Sequence, residues 1–243
     1  MIEAHKFIIG IRPAVRMFRL STVGGQIIDN ILAERGKGIL SNEYYTQVTS
    51  QKDLDRYQLR NPENGNSLKI DQDNVIFYKD SFDQDFQLDI DQCIKEFYAI
   101  WKIVNGTLNM REIRRIGIAA EHHLEGESPN NILIRQLTKF QVPPHAAKFH
   151  LKFEERKPTL ESLAPDINKA DFVNVSSEYY DSEIDSDHPE TGLVNLNIDV
   201  QRYYFPHLAQ ISKSDIDKHI KTFQKERKQY FERLTSLEMM ASE

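Results

Sequence analysis

The segments DIDQCIKEF (residues 89–97) and DIDKHIKTF (residues 215–223) agree at six of nine positions. In each, an aspartate opens a run whose apolar residues return at three- and four-residue steps, the signature of an amphipathic helix and its start. The first run continues through Ile90, Cys93, Ile94, Phe97, Tyr98, Trp101 and Val104, and Asn105-Gly106 reads as its stop. The second belongs to a helix opened by Ser212 or Ser214, with Ile216, Ile220, Phe223, Tyr230, Leu234 and Leu237 on one side. Each stands at the end of a series of strands, so the question becomes whether those series also match.

In the first half, HKFIIGI (5–11) is a dense β-type run. Leu20, Val23, Gly24, Ile27, Ile28, Ile31 and Leu32 follow with helical spacing, and Gly36 reads as the stop. Gly24 and Gly25 weaken that helix but suit a close approach to a sheet. NEYYTQVTSQ (42–51) and DLDRYQLRN (53–61) read as strands, and ENGN (63–66) as a type I′ hairpin turn. SLKIDQDNVIFYKD (67–80) is one long strand, or two interrupted near Asp71–Asn74.

The second half runs in the same order. IRRIGIAAEHHL (113–124) reads as a strand, and SPNN (128–131) opens a helix through Phe140. AAKFHLKFEER (146–156), FVNVSSEYY (172–180) and LVNLNIDVQRYYF (193–205) follow as three strands. The tripeptide IGI occurs in both opening strands, at 9–11 and 116–118. The expected fold is therefore α+β: a duplicated β-α-β-β-β-α unit, residues 1–107 and 108–243. Its apolar–polar alternation predicts a curved, mostly antiparallel sheet with helices on one face. The wet sheet face, or the cleft between units, is then the natural binding surface.

The arginine-led strand RRIGI (114–118), the strand LVNLNIDV (193–200) and the closing YFERLTSLE (230–238) resemble an uncharacterised, sporadically distributed bacterial family of similar length. Its members are often encoded near defence or mobile-element genes. The resemblance implies a duplicated α+β fold and supplies no catalytic residues. The general plan also resembles saddle-shaped duplicated folds such as the TATA-binding protein, at the level of fold alone.

Composition narrows the functional classes. The chain has 37 acidic against 31 basic residues, a formal charge of −6, so a nucleic-acid partner would find no global attraction and would need a local basic face. Cys93 is the only cysteine, which rules out an intrachain disulfide and points to a reducing compartment. The opening segment is interrupted by Arg12, Arg16 and Arg19, unlike a secretory signal, and no apolar run is long enough to span a bilayer. The expected location is the cytoplasm.

Three clusters carry candidate chemistry. Arg12, Arg16, Arg19, Arg114 and Arg115 would converge if the two opening strands lie together, and guanidinium forks pair well with phosphate or carboxylate. Asp181, Glu183 and Asp185 have the alternating oxygen ligands of a calcium loop. The sixth position of that loop is Ser186 rather than glycine and the twelfth is Gly192 rather than glutamate, which favours a solvated acidic loop able to dock on a basic partner. Glu121, His122 and His150 are the alternative, a metal-dependent hydrolase or nuclease site, although neighbouring residues on a strand point to opposite faces. No phosphate-binding glycine loop or nucleophile elbow occurs. The expectation is a non-catalytic, cofactor-free subunit or adaptor that binds another protein, possessing no membrane segment. Nucleic-acid or nucleotide binding through the arginines is the alternative.

Overall fold

The structure, a computed structural model, describes residues 4–51, 55–81, 88–127, 150–159, 171–181 and 191–240. Nine strands and three helices are described. The first half supplies β1 (Ala4–Pro13), α1 (Leu20–Ala33), β2 (Gln47–Gln51), β3 (Arg56–Asn61), β4 (Asn66–Ile70), β5 (Val75–Asp80) and α2 (Ile90–Leu108). The second supplies β6 (Arg111–Glu127), β7 (His150–Pro158), β8 (Phe172–Asp181), β9 (Thr191–Gln210) and α3 (Lys213–Met240). They form an α+β fold with one antiparallel sheet in the order β2-β3-β4-β5-β1-β6-β9-β8-β7.

The two halves meet at the β1–β6 pair. Ile9 lies opposite Ile118, Gly10 opposite Gly117 and Ile11 opposite Ile116, so the two IGI tripeptides pair with each other in antiparallel register. Their isoleucines are fully buried and point into the helix-covered side. A strand pair buried on one face fixes its own register, because a slip of one residue would carry the slipping strand's two isoleucines to the other face.

All three helices pack on that same face. Phe97 of α2 meets Phe77 of β5 edge-on at 6.0 Å and stacks on Trp101, while Phe223 of α3 meets Phe7 of β1 at 6.1 Å. Gly24 of α1 explains how that helix comes so close: a Cβ placed there would lie 2.3 Å from the Tyr57 ring on β3. The spacing of apolar residues on α1 thus needs the glycine as well as the stripe.

Helix starts follow the sequence closely. Asp89 accepts from the backbone N–H groups of Asp91 and Gln92. Ser212 and Asp215 cap α3 reciprocally, the Ser212 hydroxyl accepting from the Asp215 N–H and the Asp215 carboxylate from the Ser212 N–H. The end of α2 differs from expectation: the helix runs through Gly106 to the buried Leu108, and Asn109 takes the left-handed conformation at φ 50°. Burial of Leu108 outweighs the local stop signal.

Three further departures concern the first half. Four strands, not three, follow α1, because 67–80 divides at the Asp71–Asn74 turn into β4 and β5. Tyr44 and Tyr45, read as part of a strand, lie in a turn and are buried in the core, leaving β2 as the five residues Gln47–Gln51. The turn at 62–65 is a four-residue loop in which Gly65 alone has positive φ, at 68°. Asn61 and Asn64 hold it by accepting from the Glu63 and Asn66 N–H groups. The helix expected from Ser128 to Phe140 lies outside the described residues.

Candidate functional site on the uncovered sheet face

With the helices on one side, the opposite face of the sheet carries no described helix, and the strand alternation dictates what it displays. Burying Phe7, Ile9 and Ile11 turns Lys6, Ile8, Gly10 and Arg12 outward on β1. The same logic turns Arg115, Gly117, Ala119, Glu121 and His123 outward on β6, Arg56, Gln58 and Arg60 on β3, Ser67 and Lys69 on β4, and Ile76, Tyr78 and Asp80 on β5; Arg60 is exposed and the others are half-buried.

The halves of this face differ in charge. From β3 to β1 its strands carry Arg56, Arg60, Lys69, Lys6 and Arg12 and, among the described residues, one strand carboxylate, Asp80, which accepts a hydrogen bond from the Tyr78 hydroxyl; Asp71 adds another in the β4–β5 turn. Lys69 lies 3.4 Å from Asp71 and Lys6 3.6 Å from Glu121. Among the described residues Arg56 and Arg60 donate only to the neutral amides of Gln51 and Gln47, and Arg12, Arg56 and Arg60 meet no carboxylate. Between β3 and β5 the surface dips into a hollow of about 400 Å³ lined by Gln58, Arg60, Ser67, Lys69, Ile76 and Tyr78.

Beyond β6 the face becomes mixed. Glu121, Asp199, Glu178 and Glu154 alternate with Arg115, Lys152 and Arg156. A row of stacked groups crosses four strands: the Arg115 guanidinium lies over the Tyr203 ring at 5.7 Å, Tyr203 stacks on Phe172 at 4.8 Å, and Arg156 lies over Phe172 at 5.0 Å. Glu121 sits in a polar network at the other end, accepting from the Tyr180 hydroxyl at 3.1 Å and lying 3.8 Å from His123. His123 in turn stacks on His5 at 4.0 Å. The His123 and Lys6 partners hold the Glu121 carboxyl below the usual carboxylate range against the opposing effect of burial. Burial pushes the Tyr180 phenol up to about 12, helped by Glu121.

The arginines expected to converge do so in part. Arg12 and Arg115 are direct cross-strand partners, and Arg114 adjoins them at a register shift in β6. Arg16 lies in the turn before α1, 3.5 Å from Asp73, and Arg19 is exposed at the start of α1. Of the acidic loop, only the backbone of Asp181 is described, at the end of β8; Glu183 and Asp185 lie outside the described residues.

Glu121, His122 and His150 are not brought together. Glu121 is on the uncovered face, whereas His122 is buried among the helices, its Nε2 accepting from the Arg227 Nε at 3.0 Å and its ring edge-on to Phe231. His150 is bound to Glu178 at 2.6 Å on β7. Among the described residues no group of three His, Cys, Asp or Glu side chains is placed to hold a metal ion. Cys93 is buried in α2, and burial pushes its thiol up to about 12, which makes it a packing residue.

The basic residues Arg56, Arg60 and Lys69 are absent from the sequence-derived candidates because they form no cluster along the chain. The available signal was alternation: Arg56, Gln58 and Arg60 occupy every second position around the buried Leu59. No described helix is long and apolar enough to cross a membrane. No protein-family model matches the chain, and neither does any curated protein.

Proposed function

We propose that the chain is a non-catalytic protein-binding subunit or adaptor of a bacterial multiprotein system, docking its partner on the uncovered sheet face. The observation that carries this reading is the face itself: strands from both halves present side chains outward with no described helix above them. A broad sheet surface of mixed charge, with half-buried Ile8, Ile76 and Tyr78 near its middle, suits a protein interface, where apolar and polar contacts combine. The resemblance to the sporadic bacterial family suggests a defence or mobile-element setting, and the lone buried cysteine suits the cytoplasm. We read the chain as a duplicated unit, supported by the IGI-to-IGI pairing and the matching aspartate-led helices, with an extra strand in the first copy.

A photo-crosslinking residue at Ala119, on the uncovered face, is expected to capture one protein from the native host at stoichiometric yield after nuclease treatment. The same residue at Lys221, on the exposed side of α3, is expected to capture none. Capture from Lys221 alone would overturn the reading. The direct pairing of Arg12 with Arg115 favours nucleic acid as a second reading, and loss of all captured material after nuclease would support it instead.

A further inference from the structure

We infer that the basic half of the uncovered face takes a short acidic segment of the partner protein, with one large apolar side chain of that segment seated in the hollow over Ile76 and Tyr78. This rests on the protein-binding reading above and names the chemistry of the partner. The first argument is charge. Arg12, Arg56 and Arg60 hold guanidinium groups unopposed by any carboxylate among the described residues, so an incoming carboxylate gains bidentate pairing without displacing an existing one.

The second argument is shape. A hollow of about 400 Å³ falls in the range that holds a compact ligand group, and its polar wall of Gln58, Arg60, Ser67 and Lys69 surrounds an apolar floor. One buried anchor amid charged contacts is the usual energetic plan of a peptide site. The Tyr78 hydroxyl is tied to Asp80, which fixes the ring that forms part of the floor.

The third argument is extent, and it selects a peptide over a nucleic acid. From β3 to β1 the basic surface is roughly 14 Å wide at about 4.8 Å per strand, enough for four or so extended residues. At the level of the hollow it ends at β6, where Ala119 lies opposite Ile8 and Asp199 and Glu154 lie beyond, with Glu121 and Glu178 one row away; at the level of Arg12 it continues into Arg115. A polyanionic strand crossing the sheet through the hollow would run into those carboxylates; a short acidic segment stays within the basic half.

Selection of a random dodecapeptide display library on the full chain tests the inference while the partner is still unidentified. Enriched peptides are expected to combine several Asp or Glu residues with one large apolar residue. Their affinity is expected to fall roughly tenfold or more in Arg60→Glu/Lys69→Glu, and to change little in Lys152→Glu/Arg156→Glu on the far half. Both pairs are surface changes, and unaltered circular dichroism and melting would show that each variant folds. No enrichment, a consensus without acids, or insensitivity to Arg60→Glu/Lys69→Glu would overturn the inference. So would binding of labelled dT20 that the same double substitution abolishes. The broader reading fails separately: a crosslinked partner that maps to β7–β9 would retain protein binding and remove this segment.

Discussion

Acidification from pH 7 to pH 5 is expected to cost the folded state about 4 kcal/mol through two buried histidines. His122 is fully buried on β6, and burial, reinforced by the Arg227 guanidinium, lowers its pKa to about 3. His219 on α3 is buried against β9, its Nε2 3.0 Å from the Val200 carbonyl oxygen, and burial lowers its pKa to about 4. In the unfolded chain both imidazoles take up protons as the pH falls through about 6.5, while in the folded state they stay neutral. Protonation therefore favours the unfolded chain across the window from about 6.5 down to about 4. At pH 5 each contributes about 2 kcal/mol to that loss, at about 1.36 kcal/mol per pH interval below the unfolded pKa.

Other groups face the same window with known signs. His5 and His123 add to the lowering at His122 from the far side of β6. Asp199, whose pKa burial raises, gains its proton earlier in the folded state and so opposes part of the loss at the acid end. Urea unfolding of the parent and of His122→Gln/His219→Gln at pH 7 and pH 5 measures the effect. The double variant is expected to be less stable at pH 7 but to show a much smaller change between the two. An unchanged pH dependence in the variant would assign the acid sensitivity elsewhere.

Lys79→Met is expected to destabilise the protein by about 3–5 kcal/mol. Lys79 projects from β5 into the helix-covered side, its Nζ 2.7 Å from the Glu96 carboxylate of α2. Glu96 is buried and also accepts from the Tyr44 hydroxyl at 2.8 Å and the Gln92 amide at 3.2 Å. Those neutral donors orient the carboxylate but do not neutralise it. Removing the lysine would strand a negative charge beside the apolar ring cluster of Phe77 and Phe97. In Lys79→Met/Glu96→Gln the uncompensated charge is gone while the amide oxygen still accepts from Tyr44, so stability is expected to recover by about 2 kcal/mol or more. A double variant no more stable than Lys79→Met, by chemical denaturation, would show that packing of the lysine stem rather than charge sets the cost.

The parts of this fold legible in the sequence are those where local signals and burial agree. Asp89 and Ser212 announce their helices, and the alternating FIIGI and RRIGI runs announce the two central strands whose pairing joins the halves. Legibility ends where a distant contact decides. Tyr44 and Tyr45 have strand-like composition, but their burial in a turn depends on α2 coming to rest above them. Leu108 is drawn into the core past Gly106, extending a helix that local chemistry would end.

The candidate site divides in the same way. Alternation alone separates Glu121 from His122, but that Arg227 occupies the His122 ring depends on α3 crossing β6 105 residues later in the chain. The basic half is written over Lys6, Arg12, Arg56, Arg60 and Lys69, and only the strand order β3-β4-β5-β1 gathers them. Along the chain the conspicuous basic run is IRPAVRMFR instead, of which Arg12 alone joins that surface.

The pairing of Gly10 with Gly117 makes one sheet of two halves, and therefore one uncovered face. Cysteines at these positions, with Cys93→Ala in the background, place two thiols on that face at adjacent strands, with side chains about 4.5–5.5 Å apart. A Cβ at Gly10 meets nothing within 4 Å and one at Gly117 only the Gln201 side chain at 3.5 Å, so both substitutions are accommodated. Treatment with dibromobimane, which fluoresces on bridging two nearby thiols, is expected to give a fluorescent monomer for Gly10→Cys/Gly117→Cys and none for Gly10→Cys/Gln58→Cys. Bridging of the second pair, or its absence in the first, would contradict the seam and the single uncovered face built on it.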